Sequence, residues 1–201
     1  MITNYKEFKD FLTKLEDKPK LLLHAFCGPC STHTIKLLND YFDVTVFYDN
    51  PNIDTILEFN KRLEELKKVV SQFTDVKLIV NDYLPNTYYE AIKGDEALGE
   101  FSSRCYKCIK LRMKNTYEYA LENNFDYYTT TLSISPYKNS KWINEIGNSL
   151  TNDGVKYLYS DFKKEEGYKN SIKMSLDLNL YRQHYCGCIF SKNELKEKDN
   201  G

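Results

Sequence analysis

All six cysteines of this chain lie in three close pairs, two with the spacing CxxC and one with the spacing CxC: Cys27 and Cys30, Cys105 and Cys108, and Cys186 and Cys188. Roughly eighty residues separate each pair from the next, so the fold must bring distant segments together before the pairs can act as one site. Soft metal centres need several thiolates at short separations, and scattered core cysteines have no reason to be paired in this way. The pattern therefore favours metal or redox chemistry over structural thiols or plain disulfides.

Short apolar runs rich in β-branched and aromatic residues recur along the chain, at 20–24, 44–48, 76–80, 126–131 and 155–158. Stretches with the helical period of apolar residues accompany them, at 5–15, 31–38, 55–73, 88–92, 111–121 and 142–150. Strands that alternate with helices predict βαβ units. We therefore expect an α/β fold with a parallel five-stranded sheet flanked by helices.

Length and composition are those of one globular domain. The chain has 201 residues, of which 41% are hydrophobic, enough for one substantial core. We expect a single α/β domain over residues 1–191, followed by a polar tail over 192–201. The chain has no apolar run of about eighteen residues that would cross a membrane, and its charged, amphipathic start is unlike an export signal. The expected location is the cytoplasm, where paired cysteines act as metal ligands or catalytic thiols.

Charge and composition do not identify a partner. The net charge is −1, and a nucleic-acid binder can confine its positive charge to one face. The 17 tyrosines suit stacking on unpaired bases, but the chain is also rich in Lys, Asn and Ile, which favours compositional bias as the explanation. There is no glycine-rich phosphate loop or dinucleotide motif, so electrons would have to come from an external donor.

The ends of the predicted strands place the motifs. Parallel α/β sheets bind ligands beyond the carboxyl ends of their strands. Cys27 and Cys30 follow the first strand, and the segments after the second, fourth and fifth strands are 49–52, 129–135 and 160–164. All four segments should share one edge of the sheet, and the chemistry is expected there.

The first pair, CGPC, lies between an apolar strand and a predicted helix. A thiolate at a helix N-terminus is stabilised by the helix dipole, which suits either metal ligation or nucleophilic attack. A thioredoxin-like dithiol is one interpretation, although thioredoxin folds do not supply two further cysteine pairs downstream. A four-thiolate zinc site built from the two CxxC pairs is another.

The CxC pair either binds a metal or closes a small strained disulfide, and strained disulfides tend to be labile and catalytic. Arg182, just upstream, would bring a guanidinium close to this pair. The histidines are weaker signals. His24 ends a buried strand and is predicted to be a hydrogen-bonded core residue, whereas His33 and His184 are predicted to be surface groups.

Together these motifs resemble the cobalamin-independent epoxyqueuosine reductases of the QueH type. The matching segments stand in family order across almost the whole chain: LLLHAFCGPCS at 21–31, PNI at 51–53, RCYKCIKLRM at 104–113, FDYYTTTLSISPYKN at 125–139, YSDFKKEEGYKNSI at 159–172 and LYRQHYCGCIFS at 180–191. The resemblance implies a Rossmann-like fold related to the adenine nucleotide α-hydrolases. It also implies reduction of the epoxide of epoxyqueuosine in the anticodon of tRNA, which gives queuosine.

The same resemblance implies a 4Fe-4S cluster, an additional iron ion beside it, and specific roles for the cysteines. Cys27, Cys105 and Cys108 fall on the cluster ligands of the family. Cys186 and Cys188 fall on a redox-active pair. A second redox site of this kind would help a one-electron centre deliver the two electrons that the epoxide needs.

One position departs from the family pattern. The family usually reads HxCCxPC, whereas this chain has Phe26 in place of the first of the two adjacent cysteines. Because an aromatic ring cannot ligate iron, there are three alternatives. Cys30 completes the ligand shell of Cys27, Cys105 and Cys108, or the cluster has one open iron, or the metal centre is a different one.

The remaining expectations concern protonation and RNA binding. Asp161 is our candidate acid or metal ligand because it follows the fifth strand, with helix capping or a salt bridge as the alternative. The tRNA phosphates are expected to meet lysines near the same edge, namely Lys138, Lys141, Lys163, Lys164 and Lys169. Two other functions stay open: a zinc-stabilised RNA-binding module without catalysis, and a tRNA-modifying enzyme of the same fold with an altered metal centre.

Overall fold

The computed structural model of the protein describes residues 2–151 and 154–199. The strands are β1 (Lys20–His24), β2 (Asp43–Tyr48), β3 (Lys77–Val80), β4 (Tyr127–Thr130) and β5 (Lys156–Tyr157). The helices are α1 (Tyr5–Leu12), α2 (Gly28–Asn39), α3 (Ile56–Val70), α4 (Pro85–Ala91), α5 (Ser103–Glu122), α6 (Ser140–Leu150), α7 (Gly167–Asp177) and α8 (Ile189–Asp199). A 3-10 helix, Thr131–Ile134, follows β4. None of the helices in the two described ranges is long and apolar enough to cross a membrane.

The strands form one parallel sheet in the order β3-β2-β1-β4-β5. The chain starts in the middle of the sheet and moves outward first to one side and then to the other, as in Rossmann-like folds. Leu21, Leu22 and Leu23 of the central strand are fully buried, because helices cover both faces of a parallel sheet. The predicted α/β class and five-stranded parallel sheet are confirmed.

The starts of two helices follow from local sequence signals. The Thr55 side chain accepts a hydrogen bond from the backbone N–H of Glu58 at 3.2 Å, so α3 begins directly after Thr55. Helix α2 begins immediately after β1, with Cys27 at its N-cap and Pro29 in its first turn, a favoured place for proline. The first cysteine pair is thereby held at the N-terminus of the helix that follows the central strand.

The structure differs from the sequence expectations in its later helices. Helix α5 begins at Ser103 rather than near residue 111, so the second cysteine pair lies in its first turns. The sequence pattern does not predict helices α7 and α8. Residues 192–199, expected to belong to a polar tail, lie in α8, where Lys192 forms an ion pair with Asp54 at 2.6 Å. Residues 200 and 201 lie outside the described part of the chain.

The segments that follow the strands are joined to one another at one edge of the sheet. The Asn50 side chain, after β2, donates to the backbone carbonyl of Ala25, after β1, at 2.9 Å. The backbone N–H of Phe26 donates to Thr131 Oγ1, after β4, at 3.2 Å. The carboxyl ends of these parallel strands therefore meet as predicted.

Candidate active site

The end of the central strand is fixed by His24, which is fully buried. Its Nδ1 lies 2.8 Å from Thr130 Oγ1, and its Nε2 lies 3.1 Å from the backbone oxygen of Asp49. Burial, together with the charge of Arg112, lowers the pKa of His24 to about 3. His24 is thus a neutral, hydrogen-bonded core residue, as the sequence predicts, and it links β1 to β4 and to the residue that follows β2.

The first cysteine pair lies at the N-terminus of α2. The hydrogen bond from Cys30 lowers the pKa of the Cys27 thiol to about 6, although burial opposes the shift. The Gln183 side chain also donates to Cys27 Sγ, at 3.0 Å. The hydrogen bond between the two thiols, together with burial, raises the pKa of Cys30. One thiol of the pair is therefore held ready to ionise while the other keeps its proton.

The second pair lies on one face of the start of α5. Cys108 is buried, and burial raises its pKa to about 11, with Arg112 acting in the opposite direction. Arg112 follows Cys108 by one helical turn, and its Nε donates to the backbone carbonyl of Cys108 at 3.4 Å. The helix thus supplies both the thiol and the cation that stabilises its anionic form.

The third pair is held in a tight turn around Gly187, whose φ is +116°. Lys138 Nζ donates to Cys186 Sγ at 2.9 Å. Burial raises the pKa of Cys186, but the charges of Lys138 and Arg112 and the hydrogen bond from Lys138 outweigh it, so the pKa is lowered overall. Burial and the neighbouring Cys186 raise the pKa of Cys188. Like the first pair, this one combines an ionisable thiol with a protonated one.

Glycine is the residue type that this turn accepts at position 187 without strain. A Cβ built there would lie 2.8 Å from Arg62 Nη1 and 3.4 Å from Phe26 Cζ, in a backbone conformation that side chains rarely adopt. We expect Gly187→Ala to lower the free energy of unfolding by about 1–3 kcal/mol, the cost of a forced backbone conformation. Thermal unfolding, monitored by circular dichroism, measures this loss of stability. The matched control is Gly99→Ala, whose Cβ would meet no atom within 4 Å; equal losses for the two variants would contradict the prediction.

Two cavities bring the cysteine pairs together. The small cavity, of about 20 Å³, is lined by four thiols: Cys105, Cys108, Cys186 and Cys188. The large cavity, of about 330 Å³, adjoins it and is lined by the three thiols Cys30, Cys105 and Cys186. The fold therefore gathers all three pairs at one edge of the sheet, as the spacing requires. It groups the second pair with the third, whereas the resemblance grouped the second pair with the first.

Cationic side chains surround the thiols. Arg62 and Arg112 are almost fully buried. Arg62 is paired with Glu58 at 2.7 Å, and it also donates to the backbone oxygens of Tyr185 and Cys186. Arg112 is one of the cations that flank Cys105 and Cys108 in the sequence, where such charges are expected to offset anionic thiolates. Arg62 carries no such signal, because it occupies an ordinary polar position of α3. Arg182, which the sequence places just upstream of the third pair, donates to Ser175 Oγ at 2.6 Å and lines the large cavity.

Phe26 is packed between the two buried guanidiniums. The Cζ of Arg62 lies 5.2 Å from the centroid of the Phe26 ring, and the Cζ of Arg112 lies 5.1 Å from it. Only 6% of Phe26 is exposed. Cation–π contacts of this kind are strongest where the cation is withdrawn from water. At this position, therefore, the chain has an aromatic ring that holds two site arginines in place.

Asp161 does not line either cavity that holds the thiols. It forms an ion pair with Lys163 at 2.9 Å. The structure thus shows Asp161 in the salt bridge that was the alternative to a catalytic role, and its role as an acid stays a prediction. Of the lysines expected to meet phosphates, Lys138 is bound to Cys186, whereas Lys141 is largely exposed.

The chemistry of the small cavity fits an anionic centre. Arg112 Nη1 and both polar side-chain atoms of Asn52 are buried there without a hydrogen-bond partner in the described residues, and buried groups of this kind are usually satisfied by water or an ion. Cysteine thiolates are the ligands of iron-sulfur clusters, and the neighbouring Arg112 would offset the negative charge of such a centre. In the conformation described for residues 2–151 and 154–199, no three Cys, His, Asp or Glu side chains are arranged as a metal site.

Comparison with known proteins identifies the family. The family model described as Epoxyqueuosine reductase QueH matches residues 21–194. A protein named Epoxyqueuosine reductase QueH from Streptococcus pyogenes serotype M1 is 37% identical over 198 residues, covering 94% of this chain and 78% of that protein. Proteins of the same name from Staphylococcus epidermidis (39% identical, 87% of this chain and 77% of that protein) and Thermotoga maritima (35%, 89% and 93%) are also similar. The chain therefore belongs to the epoxyqueuosine reductase QueH family.

Proposed function

We propose that this protein reduces the epoxide of epoxyqueuosine to the alkene of queuosine, in the anticodon of tRNA. The observation that carries the proposal is the gathering of three cysteine pairs at one sheet edge, next to a cavity large enough for a small-molecule ligand. The names of the relatives support the reaction. The queuosine pathway itself supports tRNA as the substrate.

The reaction needs two electrons and two protons. The two carbon–oxygen bonds of the epoxide are broken, a carbon–carbon double bond forms, and the oxygen leaves as water. Oxidation of a dithiol to a disulfide releases the same two electrons and two protons, so the balance closes with one cysteine pair. An external electron donor must then reduce the disulfide again.

Cys186 and Cys188 are the pair that we assign to this exchange. Lys138 stabilises the Cys186 thiolate through its hydrogen bond of 2.9 Å. Lys138 and Cys186 both line the large cavity. Cys188 is buried and its pKa is raised, so it keeps its proton until Cys186 has reacted. Lys138 Nζ also carries a proton at the wall of the large cavity, whereas Asp161 does not line that cavity.

The proposed cofactor is a 4Fe-4S cluster, which supplies electrons one at a time when bound. The ligands predicted from the sequence are Cys27, Cys30, Cys105 and Cys108, of which Cys105 and Cys108 line the small cavity. The unpaired Arg112 Nη1 and the lowered pKa of Cys27 support an anionic centre at this edge. The proposed additional iron ion would lie beside the cluster.

Analysis of iron and acid-labile sulfide after anaerobic reconstitution tests the cofactor, and we expect about four of each per chain. Turnover is measured on tRNA that carries epoxyqueuosine, with a chemical reductant as the electron donor, by mass spectrometry of the nucleosides. Stoichiometric zinc without iron, and no loss of the epoxide oxygen, would contradict the proposal and favour a zinc-stabilised RNA-binding module. Iron with a different stoichiometry but normal turnover would point to an altered metal centre.

A further inference from the structure

The large cavity has an aromatic lining that the thiol chemistry does not require. Six aromatic side chains contribute to it: Phe26, Phe101, Tyr137, Trp142, Tyr168 and Tyr185. Its volume of about 330 Å³ falls in the range of pockets that take small-molecule ligands. A cavity of this composition fits a flat, aromatic ligand.

Two of these rings are held in contact with solvent. Phe101 is 58% exposed and Tyr137 is 69% exposed. They come from different parts of the chain, since Phe101 precedes α5 and Tyr137 precedes α6. Phe101 also has a φ of +62°, which is uncommon for a bulky residue. Both rings line the same cavity, so they belong to one apolar surface that is open to a bound partner.

The cationic groups of the large cavity, Lys138 and Arg182, are already engaged with the protein. Lys138 donates to Cys186, and Arg182 donates to Ser175. The carboxylates of Glu100 and Glu194 also line the cavity, and Glu194 is paired with Arg104 at 2.9 Å. A cavity lined in this way is poorly suited to phosphate groups. Its exposed rings are well suited to the faces of nucleobases, because every base can stack on an aromatic side chain.

We propose that Phe101 and Tyr137 stack on unpaired bases of the tRNA anticodon loop while the large cavity takes the extruded base that reacts. This inference rests on the proposed function and adds to it the part of the substrate that is recognised. Sequence-specific RNA recognition uses splayed bases stacked on aromatic residues, and an enzyme that acts on a base draws it into a pocket. The base would then lie beside Cys30, Cys105 and Cys186, which line the same cavity.

Trp142 provides a direct reporter, because it is the single tryptophan of the chain and it lines the large cavity. The probe is an unmodified RNA hairpin with the anticodon loop of a tRNA that normally carries queuosine. Fluorescence anisotropy of labelled hairpin gives the affinity, and quenching of Trp142 emission reports entry of a base. We expect the wild-type protein to bind the hairpin with quenching. Phe101→Ala and Tyr137→Ala should each weaken binding about 10-fold, the effect of losing one base–aromatic stack.

The controls separate stacking from other effects. Phe101→Tyr and Tyr137→Phe keep the rings and should bind like the wild type. Tyr89→Ala removes an exposed tyrosine (42% exposed) on α4 that does not line the cavity, and it should also leave binding unchanged. The melting temperature of every variant is measured, and we expect no change for these exposed positions.

The outcomes distinguish this inference from the proposed function, because the hairpin is unmodified and its binding needs no turnover. Wild-type affinity and quenching in both alanine variants would overturn the inference, even if the protein reduces epoxyqueuosine. Absence of quenching in the wild type would also overturn it. If binding depends on both rings but the epoxide is never reduced, the inference stands and the proposed reaction fails.

Discussion

Cys186→Ser and Cys188→Ser are each expected to abolish epoxyqueuosine reduction while the iron content stays at the wild-type level. The two thiols are assigned to the two-electron exchange, so each variant leaves the protein unable to close the disulfide. Removing a group that reacts covalently typically costs about 1,000-fold or more in turnover. Turnover on epoxyqueuosine-containing tRNA and iron analysis on the same preparations measure both effects.

The matched comparison is Cys105→Ser, which removes a predicted cluster ligand and should lower iron content as well as turnover. The geometry of the small cavity makes this a stringent test, because Cys105 and Cys186 both line it. If Cys186→Ser or Cys188→Ser also loses iron, the third pair contributes ligands to the centre. Cys27 and Cys30 would then be the remaining dithiol, in which the pKa of Cys27 is lowered and that of Cys30 is raised.

Phe26→Cys is expected to destabilise the protein without raising its iron content. The substitution restores the cysteine that the family usually has, but it removes a buried ring that contacts Arg62 and Arg112. Large-to-small aromatic truncations of this kind cost roughly 2–4 kcal/mol. For a chain of this length, that corresponds to a fall in melting temperature of roughly 5–15 °C.

Phe26→Leu is the control for the volume of the side chain, because it keeps an apolar group but removes the cation–π contacts. It should lose less stability than Phe26→Cys and should have the same iron content. The measurements are melting temperature, iron content and turnover on both variants and the wild type. Higher iron content with higher turnover in Phe26→Cys would show that the wild-type centre lacks a ligand, and our interpretation of Phe26 as a packing residue would be wrong.

The fold was largely predictable because its signals are local. The apolar run at Leu21, Leu22 and Leu23 is long enough for a strand but has no alternation, as expected for a strand buried on both faces. Caps such as Thr55 mark helix starts within one turn of the residues they bond. The parallel arrangement is then expected, because strands that alternate with helices form βαβ units with parallel strands.

The last helix was not predictable in the same way. Residues 192–199 are polar, and a polar segment at the end of a chain reads as a tail. In the structure this segment is fixed by distant partners: Lys192 pairs with Asp54, and Arg104 pairs with Glu194. Ion pairs between residues far apart in the chain leave no periodic pattern, so only the folded chain reveals them.

The sequence by itself determined the fold class, the six thiols and the sheet edge at which they meet. These follow from the alternation of strand-like and helix-like segments and from the positions of the cysteines after those strands. Only the tertiary structure decided which pairs share a cavity, and which cations face them. In the sequence Arg62 looks like a solvated helix position, and Arg112 is only one of several cations beside Cys108, yet both are buried against Phe26. Their burial depends on the packing of α3 and α5 around the loop after β1, and long-range packing of this kind is not encoded in any local pattern.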